Sequence, residues 1–360
     1  MSKRIGILTG GGDAPGLNAV IRAIVKYGVG QKGWTVFGIE EAYNGLFKPS
    51  KTTWELTPNN IGGLLTKGGT ILGTTNKGNP FTEDEMGEIP APKIARSVQE
   101  MNLDGLISIG GDGSQTIAHR MMEEYNIPIV GVPKTIDNDL FHTDYTFGFW
   151  SAVDVATDAL DRLHTTAESH DRVMVLEVMG RTAGWIALYA GLSGGADCIL
   201  IPEIPYDTSS IIHKIMERRG AGKHFTLIIV AEGAKSIEES QGEPKTTGTS
   251  NKFVSGQASH QVATVIADHL DVECRVTVLG HLQRGGSPVS FDRFLATRFG
   301  IHAVDLIESG RWGEMVVLQN NTMKSIPLAQ VAGTPREIPT DHELIQTARK
   351  AGISLGERKT

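Results

Sequence analysis

Two segments in the middle of the chain carry residues suited to phosphate chemistry: LISIGGDGS at residues 106–114 and IPIVGVPKTIDND at residues 127–139. Each begins with an apolar, β-branched run of strand length that breaks into glycine or proline and small polar residues. In an α/β sheet such a break marks the carboxyl end of a strand, and ligands bind at that edge. We therefore expect both breaks to contribute to a binding site.

The first break is Gly-Gly-Asp-Gly-Ser at residues 110–114, followed by a helical pattern. Consecutive glycines let the backbone approach a ligand, and the amides at the start of the following helix favour an anion. Asp112 suits a magnesium ion, whose ligands are oxygens and which commonly bridges phosphates. The pattern predicts a phosphate site with its metal. An ordinary strand-to-helix turn with Asp112 as N-cap fits the same residues.

The second break supplies Thr135, Asp137 and Asp139 at positions i, i+2 and i+4. In an extended segment all three side chains would point the same way. Phosphoryl transfer to an alcohol needs a carboxylate that takes the hydroxyl proton, and this segment offers two. Asp-Asn-Asp is also a common turn composition, so a purely structural turn remains the alternative.

The bulk composition excludes several classes of protein. The chain has 360 residues, of which 40% are hydrophobic and 21% charged, so we expect an ordinary globular protein of two domains or lobes. A formal net charge of -7 without a basic block argues against nucleic-acid binding. The two cysteines, Cys198 and Cys274, suit a reducing compartment. No apolar run reaches the roughly 18 residues of a membrane span, so we expect no membrane partner and a cytoplasmic location.

Strand-like and helical patterns alternate along most of the chain, which predicts an α/β fold with mainly parallel sheets flanked by helices. The first pattern is a strand over residues 3–9, a glycine turn at residues 10–16, and a helix over residues 17–27. The turn matches neither GxGxxG nor the Walker pattern, so a dinucleotide fold or a P-loop is disfavoured. The glycine- and threonine-rich residues 67–80 are typical of a loop that lines a ligand cleft.

GGDGS, PKTIDND and the N-terminal ILTGGGDAPGLNAVIR together resemble the phosphofructokinase A family, which phosphorylates fructose 6-phosphate on its 1-hydroxyl. VMGR at residues 178–181 and HLQRGG at residues 281–286 extend the likeness to about residue 320. The resemblance implies two lobes with the site between them and a homotetramer in which subunits share the sugar site. It assigns residues 1–147 and about 266–316 to a larger nucleotide-binding lobe, and about 148–265 and 317–360 to a smaller sugar-phosphate-binding lobe.

On the nucleotide side, the resemblance implies that Mg²⁺ with ATP is bound by the glycine turns, with Asp112 on the metal. Asn76 stands where ATP-dependent bacterial members carry an arginine, and its neighbour Lys77 could supply the charge. The residues so assigned to the nucleotide are Gly12, Asn76, Lys77, Gly111, Gly113, Ser114 and Lys134.

On the sugar side, the resemblance makes Asp137 the base, Thr135 a ligand of the transferring phosphoryl group, and Arg181 the group that offsets its charge. Arginine suits this role because a guanidinium binds phosphate in a planar, bidentate manner. The residues assigned to fructose 6-phosphate are Asp139, Arg172, Met179, Gly180, Glu232, Arg275, His281 and Arg284, with Arg172 and Arg275 coming from a neighbouring subunit.

The phosphoryl donor depends on Gly113 and Lys134. Members of the family that use pyrophosphate carry aspartate after GGD and lysine after the proline, whereas this chain combines glycine and lysine. An aspartate would crowd and repel the α-phosphate, whereas an extra cation need not exclude ATP, so the pattern favours ATP over pyrophosphate. NAD kinases and lipid kinases also contain GGDG but lack the TIDND, MGR and HLQRGG motifs. A noncatalytic nucleotide-sensing subunit would be expected to lose Asp112, Asp137 or the arginines of the sugar site, and this chain has all of them.

An effector site is the last feature that the resemblance implies, which makes an allosteric enzyme the expectation. Four residues match the positions that bacterial members use: Arg22, Lys26, Glu203 and Lys223. His164 and Pro58 stand where arginines are expected, so we expect an altered effector preference.

Overall fold

The computed structural model describes residues 2–47, 49–84, 87–242, 255–331, 333 and 335–358. The strands in this part of the chain are β1 (Arg4–Thr9), β2 (Thr35–Ile39), β3 (Thr53–Leu56), β4 (Gly105–Gly110), β5 (Ile129–Thr135), β6 (Phe147–Gly148), β7 (Val173–Val178), β8 (Cys198–Leu200), β9 (Thr226–Ala231), β10 (Cys274–Val278), β11 (Glu314–Gln319) and β12 (Thr322–Pro327). The helices are α1 (Leu17–Gly28), α2 (Pro49–Thr52), α3 (Ala91–Glu100), α4 (Asp112–Tyr125), α5 (Phe149–His170), α6 (Trp185–Ser193), α7 (Thr208–Gly220), α8 (Ile237–Ser240), α9 (Gln257–His269), α10 (Ser290–Glu308) and α11 (Glu343–Lys350). Short 3₁₀ turns lie at Ala42–Phe47, Leu64–Thr66, Gly280–Arg284 and Leu328–Gln330.

The chain folds into two units. Unit 1 contains Met1–Ile136, Leu140–Ser151 and Arg284–Pro335, and unit 2 contains Asp137–Asp139, Ala152–Gln283 and Arg336–Thr360. The chain thus returns to unit 1 at Arg284 and to unit 2 at Arg336, whereas the sequence predicts these two boundaries near residues 266 and 317. Residues before Arg284 stay in unit 2 because β10 pairs with β7, and β12 stays in unit 1 because it pairs with β11.

Unit 1 is built on a sheet with the strand order β12-β11-β5-β4-β1-β2-β3, and β6 pairs beside β5. Its central strands are parallel, and β3 and β12 are antiparallel to their neighbours. Alternate residues of a strand face opposite sides of the sheet. Accordingly Ile5 and Ile7 of β1 join a core with α1 and α10, whereas Leu8 joins a second core with α3 and α4.

Unit 2 is built on a parallel sheet with the order β10-β7-β9-β8. One face packs on α7 and α9, where Val175 and Val230 meet Ile215 and Val262. On the other face Met174 and neighbouring apolar residues pack against α5. Both sheets are thus mainly parallel with helices on both faces, and the α/β prediction is confirmed. No helix in the described residues is both long enough and apolar enough to cross a membrane.

Candidate functional site

The GGDGS segment forms the turn between β4 and α4 in unit 1. The helix begins at Asp112, and its N-cap is Gly111, with φ -82° and ψ -167°. The alternative in which Asp112 caps the helix is therefore wrong. Asp112 lies in the first turn, where the backbone N–H groups have no partner within the helix and favour an anion. A Cβ at Gly113 would meet no atom within 4 Å, so the space beside the turn is open.

Asp112 is the carboxylate available at this helix start. Its Oδ1 accepts a hydrogen bond of 2.8 Å from the backbone N–H of Gly333. Within the described residues, no group of three or more His, Cys, Asp or Glu side chains could hold a metal ion. A single carboxylate at an anion-binding turn nevertheless fits Mg²⁺, which keeps several waters and takes its other ligands from phosphates.

The N-terminal glycine turn lies against the same region of unit 1. The Lys134 ammonium donates a hydrogen bond to the Gly12 carbonyl, and Lys134 is only 3% exposed. The Ser114 hydroxyl faces the same turn, since a Cβ added at Gly10 would lie 2.7 Å from its Oγ. The structure therefore brings together the predicted nucleotide residues Gly12, Gly111, Gly113, Ser114 and Lys134.

The loop over residues 67–80 packs on this glycine turn. Gly11 donates its N–H to the Thr75 carbonyl over 3.1 Å and accepts a hydrogen bond of 2.5 Å from the Thr74 hydroxyl. Asn76 and Lys77, which follow directly, are exposed. The loop thus borders the turn as expected for residues that line a binding cleft.

Asn18 holds this loop in place, although the sequence reasoning did not single it out. It is fully buried in α1, donates to the carbonyls of Lys67 and Gly68 over 3.1 Å each, and accepts 2.9 Å from the Ile71 N–H. The signal that could have revealed it is a polar residue among the apolar positions of an amphipathic helix.

Gln115 plays a comparable part between β4 and β5. Its buried side-chain amide donates to the carbonyls of Gly110 and Val132 over 3.0 Å each. Because Gly110 pairs with Pro133 in the parallel sheet, this contact joins the two strands at the edge where both breaks begin. Thr135 lies close to Gly111, whose added Cβ would be 4.0 Å from the Thr135 Cβ.

The expectation that Thr135, Asp137 and Asp139 point the same way from an extended segment is wrong. The strand β5 ends at Thr135, the chain bends, and Asn138 takes a left-handed conformation with φ 52°. Asparagine tolerates this conformation because its short side chain bonds locally. Thr135 belongs to unit 1, whereas Asp137–Asp139 belong to unit 2.

Several residues that are predicted to bind the sugar phosphate lie together in unit 2, at the carboxyl ends of β7 and β9. Val178 pairs with Ala231, so the turn that carries Arg181 adjoins the turn that follows Glu232. The N–H of Gly233 donates to the Gly180 carbonyl over 3.0 Å, and a Cβ at Gly233 would lie 2.0 Å from the Arg181 carbonyl oxygen. The contact requires glycine at residue 233.

The neighbouring strand β10 ends beside this group. Met179 donates its N–H over 2.7 Å to the buried side-chain oxygen of Gln283, another residue that the sequence reasoning missed. His281, in the same 3₁₀ turn, is exposed in unit 2. Arg284, which the resemblance also assigns to fructose 6-phosphate, belongs to unit 1, where its Nη1 donates over 3.1 Å to the Asp13 carbonyl.

Arg172 and Arg275 lie at the opposite edge of the unit 2 sheet, where β7 and β10 begin. Arg172 forms a bidentate contact of 2.6 and 3.1 Å with Glu273, which also accepts from Arg275. Hydrogen bonding from Arg172 holds the pKa of the Glu273 carboxyl below its usual value. The six residues of β7 separate Arg172 from Met179, a span of roughly 20 Å at about 3.3 Å per residue. Within one chain, the structure therefore does not bring these two arginines to the other residues that are predicted to bind the sugar.

The family model described as Phosphofructokinase matches residues 4–307. A protein of Chloroflexus aurantiacus named ATP-dependent 6-phosphofructokinase is 49% identical over 362 residues, covering 99% of this chain and 98% of the relative.

Solved structures agree on the fold. Phosphofructokinase from Saccharomyces cerevisiae is 32% identical with a TM-score of 0.78, over 91% of this chain and 45% of the yeast chain. A pyrophosphate-dependent phosphofructokinase from Marinobacter aquaeolei has a TM-score of 0.81 over 98% of this chain and 92% of that one. At 21% identity the latter likeness concerns the fold alone.

Proposed function

Because the chain belongs to the phosphofructokinase family, we propose that it transfers the γ-phosphoryl group of ATP to the 1-hydroxyl of fructose 6-phosphate. The product is fructose 1,6-bisphosphate, and as an enzyme of glycolysis the protein would work in the cytoplasm. One observation carries the proposal. The GGDGS turn follows β4, and Thr135 is the last residue of β5. Gln115 joins the carboxyl ends of these adjacent parallel strands, so an anion-binding turn and the start of the TIDND segment share one edge.

In the proposed mechanism, the ATP phosphates bind over Gly12, Gly111, Gly113 and Ser114. Asp112 would hold Mg²⁺, which would offset the negative charge of the phosphates. The Thr135 hydroxyl would donate a hydrogen bond to the transferring phosphoryl group, next to Gly111. Phosphoryl transfer depends mostly on such positioning and charge stabilisation.

The acceptor side of the mechanism uses unit 2. Asp137 would accept the proton of the sugar 1-hydroxyl as the oxygen attacks phosphorus, and Asp139, two residues on, would bind the sugar. Arg181 would offset the charge on the transferring group, and Met179, Gly180, Glu232 and His281 would bind fructose 6-phosphate. Support comes from the pairing of β7 with β9 and β10, which gathers the last five of these residues at one sheet edge.

The donor assignment rests on Gly113 and Lys134. The open space beside Gly113 supports a nucleotide, whose α-phosphate an aspartate would crowd and repel. The Lys134 ammonium donates to the Gly12 carbonyl and so stabilises the glycine turn, and an extra cation need not exclude ATP. Asn76 and Lys77 are exposed and available to the nucleotide in place of the arginine found in bacterial relatives.

We also propose that each sugar site is completed by a second copy of the chain, in a homotetramer. Arg172 and Arg275 lie at the opposite edge of the sheet from Met179, too far to bind the same phosphate within one chain. Mixing inactive Arg172→Ala and Asp137→Ala chains tests this arrangement. Hybrids that regain activity support sharing, whereas mixtures as inactive as their components refute it.

The decisive experiment measures fructose 1,6-bisphosphate formed from fructose 6-phosphate and Mg²⁺, with ATP in one assay and pyrophosphate in the other. Turnover with ATP alone supports the proposal in full. Turnover with pyrophosphate alone would overturn the donor assignment and retain the acceptor chemistry. Turnover with neither would favour a noncatalytic nucleotide-sensing protein.

A further inference from the structure

The C-terminal segment that begins at Arg336 had no role assigned from its sequence. Within unit 2 its backbone runs between the end of the TIDND segment and the start of α6. The N–H of Arg336 donates to the Asp139 carbonyl over 2.8 Å. The carbonyl of Arg336 accepts 3.0 Å from the indole N–H of Trp185, the first residue of α6. One residue thus joins the two segments through both of its main-chain groups.

Glu203 makes a second connection between the C-terminal segment and the start of α6. Its carboxylate accepts from the Gly184 N–H at 3.0 and 3.2 Å and from the Ile338 N–H at 3.0 Å. A carboxylate is favoured at this position because Gly184 is the N-cap of α6. Burial raises the pKa of Glu203 despite these bonds.

Side-chain packing encloses the junction. Trp185 is 1% exposed, with the Arg336 guanidinium 4.5 Å from the centre of its ring. The His342 ring lies 5.2 Å away and nearly perpendicular to the indole. The indole is therefore fixed by the C-terminal segment, and its hydrogen bond to Arg336 has a defined geometry.

We propose that Trp185, Glu203 and Arg336 are positioning residues for phosphoryl transfer, an inference that rests on the proposed function. Asp139 lies two residues after Asp137, the proposed base, and Gly184 lies three residues after Arg181. The junction fixes the base segment relative to the arginine turn within unit 2. Its hydrogen bonds all go to main-chain groups of these segments, so its effect on the reaction is geometric.

The same contacts give Glu203 a role other than effector binding. Both of its oxygens accept main-chain hydrogen bonds, from the start of α6 and from the C-terminal segment. The resemblance to bacterial relatives matched Glu203 to an effector position. A positioning role predicts that Glu203→Gln lowers turnover without any effector present, whereas an effector ligand would leave that turnover unchanged.

The test compares two tryptophan variants that lose equivalent hydrogen bonds. Trp185→Phe keeps an aromatic ring but loses the indole N–H to Arg336. Trp54→Phe is the control, because Trp54 lies on the edge strand β3 of unit 1 and its indole N–H donates over 3.1 Å to the Glu40 carboxylate. Thermal unfolding, and kcat and KM for both substrates, would be measured for each variant and for the wild type.

We expect Trp185→Phe to lower kcat about tenfold, below the roughly hundredfold loss that a displacement of 1 Å can cause. KM for ATP should stay within about twofold, and Trp54→Phe should retain wild-type kcat. The double variant Trp185→Phe with Glu203→Gln should lower kcat by less than the product of the two single fold-losses, because both residues act through one junction. Equal kcat for the two tryptophan variants, or an unchanged kcat for Glu203→Gln, would overturn the inference. Wild-type turnover in the same assay reports separately on the proposed function.

Discussion

A single methyl group at Gly233 should disable the proposed charge-stabilising arginine without touching its side chain. In Gly233→Ala the new Cβ would lie 2.0 Å from the Arg181 carbonyl oxygen and 3.0 Å from the Arg181 Cα. Non-bonded Cβ contacts essentially never fall below 3.0 Å, so the two turns must separate by about 1 Å. The hydrogen bond from Gly233 to the Gly180 carbonyl, now 3.0 Å, would be lost with that movement.

The magnitude follows from the displacement. A misplacement of about 1 Å at a group that acts on the transition state can cost about a hundredfold in kcat, or about 2.7 kcal/mol of barrier. Overpacking a tight backbone contact should also lower the free energy of unfolding by about 1 to 3 kcal/mol. The residues proposed to bind ATP belong to unit 1, so KM for ATP should change by less than about threefold.

The assay is steady-state kinetics with ATP and fructose 6-phosphate, at a temperature well below the unfolding transition of each variant. Gly220→Ala is the matched control, because it lies in unit 2 at the end of α7 and its added Cβ would meet no atom within 4 Å. A folded Gly233→Ala protein with kcat within about twofold of the wild type would refute the role of Arg181 geometry. Equal losses in both alanine variants would attribute the effect to unit 2 stability alone.

Three further predictions test other parts of the site. Asp137→Ala should lower kcat by about a hundredfold to ten-thousandfold and raise KM for fructose 6-phosphate far less, and a variant that loses only sugar affinity would contradict its role as base. Gly113→Asp should fold normally, since its side chain enters open space, but should raise KM for ATP at least about tenfold through charge repulsion; an unchanged KM would contradict the phosphate site. Burial raises the pKa of Asp292 to about 6, so the folded state binds this proton more tightly than the unfolded chain. Its contribution to stability is therefore complete below about pH 4 and is lost as the pH rises through about 6, on the order of 3 kcal/mol, and urea unfolding should show a flatter pH profile in Asp292→Asn. An identical profile in the two proteins would refute this assignment.

The strand ends that we propose carry the chemistry were predictable because they depend on local sequence. The apolar runs at residues 106–109 and 127–132 overlap β4 and β5, and the glycines that end the first run form the expected turn. Parallel neighbours end at the same edge, so two correct strand predictions were enough to place Gly111 near Thr135.

Predictions that needed the path of the chain beyond a strand were less successful. Nothing in the alternation of Thr135, Asp137 and Asp139 shows that β5 stops at Thr135, because TIDND fits a strand and a turn equally well. The sequence also predicts that the larger lobe ends at about residue 316, whereas unit 1 continues to Pro335. Asn320 and Asn321 both have positive φ, of 50° and 59°, and this two-residue turn joins β11 to β12. Asparagine at both central positions suits a type I′ hairpin, a signal that the sequence reasoning did not use.

Asn18, Gln115 and Glu203 show why the supporting contacts escaped prediction while the glycine turns did not. Asn18 and Glu203 make hydrogen bonds with main-chain groups that are distant in sequence: Asn18 holds a loop about 50 residues away, and Glu203 joins Gly184 to Ile338. Gln115 joins the ends of two strands, at Gly110 and Val132. A polar residue in an amphipathic helix or after a strand is usually exposed, so its type alone does not reveal such a partner. Burial makes these bonds expensive to lose, since an unsatisfied buried group costs about 1 to 3 kcal/mol. The glycine turns can therefore be predicted from the sequence, but their position depends on contacts that exist only once the sheets have formed.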